Sequence, residues 1–179
     1  MLTEIAYDRQ AAVRYALKWA YARNPRFYDF EDIGGDCTNF ISQCLYAGCG
    51  VMNFSPENGW YYINTNNRAP SWTGVIFLRE FLLTNEGAGV YGRETDLSAL
   101  HEGDVVQLID SEGMFYHTVF VSYVSRAYWR EVTADDIYVC AHSYDARNRR
   151  LSSYPYADVS AIEILGARKE WDEFPVGMP

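Results

Sequence analysis

The sequence predicts an α+β domain in which N-terminal helices pack on an antiparallel β-sheet. Three observations carry this. Helical spacing of apolar residues is confined to the stretch before Gly87, strand-like alternation begins only after Gly103, and the two do not interleave. Helices followed by strands indicate an antiparallel sheet with segregated helices, whereas alternating units would indicate a parallel one. At 179 residues the chain fits one domain, residues 1–179, at the usual roughly 100–200 residues per domain.

Between Thr3 and Ala22 the apolar positions Ile5, Ala12, Ala16, Trp19 and Ala20 suit one helix face, and Asn24-Pro25 supplies the stop. After an irregular stretch, Asp36 stands as N-cap before Cys37 to Ala47, with Gly48 as the glycine past the end. In that helix Cys37, Phe40, Ile41, Cys44 and Leu45 share one face, so Cys37 sits in the first turn of a core-facing stripe. Residues 52–72 lose all periodicity and gather Phe54, Trp60, Tyr61, Tyr62 and Trp72 among Asn, Gly and Pro, an aromatic-rich insertion or lid. A short helical pattern, Val75 to Leu83, follows, and Gly87 to Gly92 reads as a loop. Then come a hairpin, 104–109 and 114–124 around Asp110-Ser-Glu-Gly113, and two more strands, 137–142 and 159–165, separated by a polar Arg/Asn-rich loop. In the second hairpin strand Phe115, His117, Val119, Val121 and Tyr123 fall on one face.

Composition excludes several classes of partner. Fifteen Lys+Arg against 24 Asp+Glu give a net charge of −9, with only Lys18 and Lys169 as lysines, so the chain is no general nucleic-acid binder. No apolar run approaches the ~20 residues of a membrane span, and no membrane partner is expected. The N-terminus lacks the basic start and apolar core of a secretory signal. As written the sequence reads as cytoplasmic, or as a domain of a larger or lysis-released protein. A monomer is expected.

Cys37 is the first candidate nucleophile. The positive end of a helix and its free N–H groups favour a thiolate, whereas the charge of Asp36 opposes it unless the carboxylate turns back to cap the helix. The bland alternative is a small apolar residue in a core stripe, as expected for Cys44. His117 sits among Val and Phe in a strand, where an imidazole needs a partner. A Cys–His pair formed by a helix packing on the sheet supplies nucleophile and base. Of the other two histidines, His101 reads as a loop residue, while His142 ends a neighbouring strand, from which it is placed to orient the far nitrogen of His117. Zinc spacing is poor, with no Cys-x-x-Cys and Cys44-x4-Cys49 straddling a helix end, so neither metal nor other cofactor is expected.

Gly34-Gly35-Asp36-Cys37-Thr38-Asn39-Phe40-Ile41-Ser42-Gln43 resembles the nucleophile motif of the bacterial Putative amidase domain family, which is grouped with the CHAP and NlpC-type cysteine peptidases and amidases of the papain-like clan. Downstream, the Gly103-Asp104 turn, Tyr116-His117-Thr118-Val119 and His142-Ser143-Tyr144-Asp145 continue the resemblance in order, from the Tyr7 helix to about Tyr154. The resemblance implies a papain-like fold and amide hydrolysis through a thioester. Cys37 attacks, its main-chain N–H helps hold the oxyanion, His117 moves the proton and His142 orients His117, with Asp145 and Asn148 as competitors for that third place. It also implies peptidoglycan peptide, or another amide, as substrate. On that reading Asp36 is a candidate for binding a substrate amine, and Trp60 and Tyr61 for lining the cleft against a muropeptide, or else for packing as a lid. An acidic enzyme gains little long-range attraction to an anionic wall, so activity is expected to depend weakly on salt.

Overall fold

The computed structural model describes residues 1–171 and is α+β, with an antiparallel sheet and a few helices. The helices are α1 (Arg9–Trp19), α2 (Cys37–Cys49), α3 (Pro70–Thr73) and α4 (Val75–Thr84). The strands are β1 (Leu2–Ile5), β2 (Tyr62–Asn64), β3 (Asn67–Arg68), β4 (Gly89–Thr95), β5 (Val105–Ile109), β6 (Phe115–Val124), β7 (Ile137–Ala141), β8 (Ala146–Arg150) and β9 (Asp158–Glu170). Among the described residues β2 and β3 form a small ribbon and the others one seven-stranded sheet. Its order is β4, β9, β5, β6, β7, β8, and β1 extends the line of β5 along the C-terminal half of β9.

Three strands are not where sequence periodicity placed them, and all three are edges. The predicted first helix begins only at Arg9, where Asp8 accepts a hydrogen bond from the N–H of Ala11, and residues 2–5 pair with β9 instead. The predicted loop at Gly87–Gly92 is mostly β4, and the polar loop after His142 contains β8. An edge strand packs few side chains against the core, so it need not alternate. Gly92 belongs to β4 for a steric reason: a Cβ there would come within 2.5 Å of the Glu163 carbonyl, at the register shift between Tyr91 and Gly92.

Helix α2 runs past the predicted stop. Its left-handed cap is Gly50, with φ 67°, whose N–H reaches the Tyr46 carbonyl. Gly48 is interior, and its missing side chain makes room for the Tyr7 ring, since a Cβ would lie 2.3 Å from Tyr7 Cε2. Phe40, Ile41, Cys44 and Leu45 are fully buried, as their spacing predicts, and each large one contributes roughly 1.5–3 kcal/mol. They join Phe120, Val105, Cys140 and Ile162 in the core between helices and sheet. The other sheet face builds a second core from Val106, Leu108, Val119, Val121 and Val139, capped by Leu100, Leu151 and Tyr154. Between them, Arg9 donates to the buried carboxylate of Asp104 at 2.7 Å, and Asp104 also accepts the N–H groups of His101 and Ile164, tying α1 to the sheet.

The two tryptophans of the aromatic insertion are core. Trp60 and Trp72 are fully buried with ring centroids 5.0 Å apart; Trp60 Nε1 donates to Ser42 Oγ on α2, and Trp72 Nε1 to Asn39 Oδ1. Rings of this size bury more apolar area than most other side chains, which outweighs any signal from their loop-like flanks.

Candidate active site

Cys37 and His117 line the same cleft, of about 370 Å³, with Gly34, Gly35, Tyr116 and Tyr144. They approach it from different directions. In β6, Thr118 and Phe120 face the helices, while His117 pairs with Leu108 and points with Val119 to the second core. The pairing of β6 with β7 reaches only Phe120 opposite Cys140, leaving the start of β6 without a strand neighbour on that side. The N-terminus of α2 meets β6 at this opening, so the Cys37 sulfur accepts the Thr118 backbone N–H and lies 3.7 Å from the Thr38 hydroxyl. Thr38 and Thr118 hydroxyls, 3.4 Å apart, hold the same junction. No hydrogen bond links the Cys37 sulfur to the His117 ring.

The electrostatics set a neutral resting state. Burial pushes the Cys37 thiol above its ordinary value despite the Thr118 and Thr38 N–H groups, and the nearby Asp36 charge pushes the same way. Burial also lowers His117 from 6.5 to about 4, with a smaller contribution from Arg149. Desolvation of a residue only 8% exposed is the largest effect at this thiol and outweighs the N–H groups that favour the thiolate. For folding the sign is definite. Between pH 6.5 and about 4 the unfolded chain binds the His117 proton that the native chain refuses, so stability is lost as pH drops through that window, by about 3 kcal/mol in all. Denaturant melts at pH 7.5 and 4 are expected to show this loss, and a His117→Leu variant to show it reduced by that amount.

His142 does not orient His117. Its Nε2–H donates to the Trp19 carbonyl at 2.9 Å, its Nδ1 lies 2.5 Å from Asp36 Oδ2, and its ring stacks on Phe40 at 3.9 Å. Because a carbonyl only accepts, the Nε2 proton is fixed, and one further proton is shared between Nδ1 and Asp36. Asp145 is likewise engaged elsewhere, in a two-pronged pair with Arg23 at 3.0 Å, and Asn148 Oδ1 accepts the Ser122 hydroxyl at 2.8 Å. The His117 Nε2 atom is buried without a protein partner, and so is the hydroxyl of Tyr154, whose ring centroid is 5.9 Å away. Burial pushes the Tyr154 phenol up to about 12, so it stays a donor.

Asp36 is 1% exposed and has no access to a substrate amine, nor does its carboxylate cap α2. It accepts instead from the Phe30 N–H at 3.0 Å and Asn39 Nδ2 at 2.7 Å besides facing His142. Asn39 donates its other proton to the Tyr28 carbonyl, so the Asp-Cys-Thr-Asn-Phe run spends three residues locking the turn that presents Cys37. Trp60 is fully buried, and Tyr61, half-buried against Phe54, borders a separate groove with Ser55, Pro70 and Phe77. Neither lines the cleft.

Of the other residues that line it, Tyr144, Arg149 and Tyr154 were not singled out by the sequence. Tyr144 is 87% exposed at the mouth, on a turn where Ser143 and Tyr144 both have positive φ, 56° and 75°. Ser143 Oγ fixes that turn by accepting the Asp36 N–H at 2.7 Å and donating to Glu31. Arg149 and Tyr154 come from β8 and just after it, a segment whose Arg-Asn-Arg-Arg composition reads as solvent-facing.

All four cysteines are free; Cys44 and Cys140 are buried, and Cys49, held by its bond to the Val51 carbonyl, is raised to about 11 by burial. No cluster of three His, Cys, Asp or Glu fit for a metal occurs, and no helix is long and apolar enough to cross a membrane, among the described residues.

Fold and cleft together define an α+β protein with a helix-borne cysteine and a strand-borne histidine facing one small cavity. Residues 6–165 match the Putative amidase domain family, and the chain belongs to it. It is also 35% identical over 158 residues to the uncharacterized protein YhbB of Bacillus subtilis (strain 168), covering 87% of this chain and 46% of that protein. The chain thus spans just under half the length of that relative. No solved structure matches it. Family membership suggests amide hydrolysis, and with it a hydrolase.

Proposed function

We propose that the protein is a cysteine amidase of papain-like type, related to the CHAP and NlpC enzymes, and that it cleaves an amide of bacterial peptidoglycan through a thioester at Cys37. The observation that carries this reading is the shared cleft, with Cys37 in the first turn of α2 and His117 at the uncovered start of β6. The substrate carbonyl enters there. His117 takes the thiol proton as sulfur attacks, and the Cys37 main-chain N–H faces the oxyanion. The imidazolium then returns the proton to the departing amine, and water releases the acyl group by the reverse sequence.

Starting from a neutral thiol and neutral imidazole, this is general-base catalysis rather than attack by a standing ion pair. The His117 ring packs between Tyr116, with ring centroids 6.2 Å apart, and Tyr154, at 5.9 Å. Among the described residues no carboxylate or amide side chain takes the third place.

Incubation with purified peptidoglycan is expected to release new amino groups, and acid quenching to trap an acyl adduct whose mass maps to the Cys37 peptide. Amine release with no Cys37 adduct at any quench time, and undiminished in a Cys37→Ala variant, would overturn the mechanism. Adduct formation with small acyl amides but not with wall fragments would keep the mechanism and remove the substrate.

A further inference from the structure

The cleft contains one charged side chain that the mechanism above does not use. Arg149 is half-buried in its wall, on the same sheet face as His117, since it pairs with Val139 of the second core. A register shift between Val139 and Ala141, with Asn148 at φ 52°, sets its direction. The guanidinium carbon lies over the Tyr154 ring, 3.8 Å from its centroid, its Nε donates to Ser153 Oγ at 2.8 Å and its Nη2 to the Ser153 carbonyl at 2.9 Å. Those contacts fix the fork but neutralise nothing. Among the described residues no carboxylate pairs with Arg149; six other arginines are also without an acidic partner, but none of those lines the cleft. Nor does any Asp or Glu line the cleft. In a chain of net charge −9 a cavity whose only fixed charge is positive is therefore a local inversion. Aromatic walls keep that charge poorly screened.

We infer that Arg149 is an anion anchor and that the amide cleaved at Cys37 carries a free carboxylate close to the scissile bond. The inference rests on the amidase reading and specifies its substrate class: an acidic peptide or N-acyl amino acid rather than a neutral amide. A planar fork already held by stacking and two hydrogen bonds loses little freedom on binding, and it matches a carboxylate in shape. Occupancy also acts on the base. Arg149 contributes, after burial, to the lowering of His117, so a bound carboxylate cancels that part and makes the imidazole a better proton acceptor only when the right substrate is present.

Alkylation of Cys37 by iodoacetate and by iodoacetamide tests this without any natural substrate, because the two reagents differ in one carboxylate. The measured quantity is the ratio of the two rates at the Cys37 peptide, normalised to the ratio for glutathione. In the wild-type protein iodoacetate is expected to be favoured by about tenfold or more on that scale. Arg149→Gln is expected to bring the ratio to that of glutathione, and Arg149→Lys to keep part of the preference. A wild-type ratio equal to that of glutathione overturns the anchor outright, with no variant needed, and so does an Arg149→Gln ratio unchanged from wild type. The ratio is defined whatever the absolute speed. Loss of amine release in Cys37→Ala together with a wild-type ratio equal to that of glutathione would therefore keep the nucleophile and remove Arg149.

Discussion

Replacing Cys37 with Ala is expected to abolish amide hydrolysis, with a fall of roughly 10⁴-fold or more, while leaving the fold in place. Loss of the nucleophile from a covalent mechanism leaves only binding and oxyanion contacts, and losses in comparable triads are of this order. The fold should survive because the sulfur gives up only its contacts to the Thr118 N–H and Thr38, and alanine is a good helix former in the first turn. Serine at the same position is expected to be nearly as inactive, since an alkoxide is harder to form in a site that already raises a thiol. Progress curves of amine release, compared with near-unchanged far-ultraviolet dichroism, check both halves. The same thiol gives the pH signature: alkylation of Cys37 is expected to accelerate up to and beyond pH 9, the ordinary thiol value, because burial holds it protonated below that. An inflection near pH 4–5 would reveal a resting thiolate–imidazolium pair and overturn the neutral resting state.

Asp36→Ala is expected to be the most damaging single change to stability, costing about 3–5 kcal/mol, the usual penalty for removing one partner of a buried polar or charged pair. The carboxylate is 1% exposed and serves three donors at once: the Phe30 N–H, Asn39 Nδ2 and the His142 ring. Alanine strands all of them, and it leaves the extra proton shared with His142 without its acceptor. Urea unfolding should show the midpoint falling with little change in slope. Activity per folded molecule separates this role from a catalytic one. If Asp36→Ala retained wild-type stability, its carboxylate would have to be free to meet substrate, and the positioning role assigned to it would be wrong.

The helix bearing Cys37 could be read from residues alone because its stripe of Phe40, Ile41, Cys44 and Leu45 repeats at helical spacing, and burial follows spacing when one face meets a core. The β5–β6 hairpin was equally legible, since Asp110 to Gly113 is turn chemistry between two apolar runs. The edge strands β1, β4 and β8 were not, for they owe their conformation to the backbone groups of their neighbours and carry no obligatory pattern. In the site, Cys37 and His117 stood out by type and context. The fate of His142 did not: a histidine at a strand end can orient a base or pin a helix, and only the position of Asp36 and of the Trp19 carbonyl decides which.

Local pattern thus determined the order of elements, the helix that exposes Cys37 at its first turn and the strand that carries His117, because periodicity and caps act within a few residues of chain. Tertiary structure decided what faces what. It buried Trp60 and Asp36, engaged Asp145 and Asn148 elsewhere, and brought Arg149 and Tyr154 to the cleft from a segment that looks like solvent-facing loop. Those choices depend on where β7 stops beside β6 and on a register shift in β8, long-range pairings whose energy no stretch of the chain contains by itself.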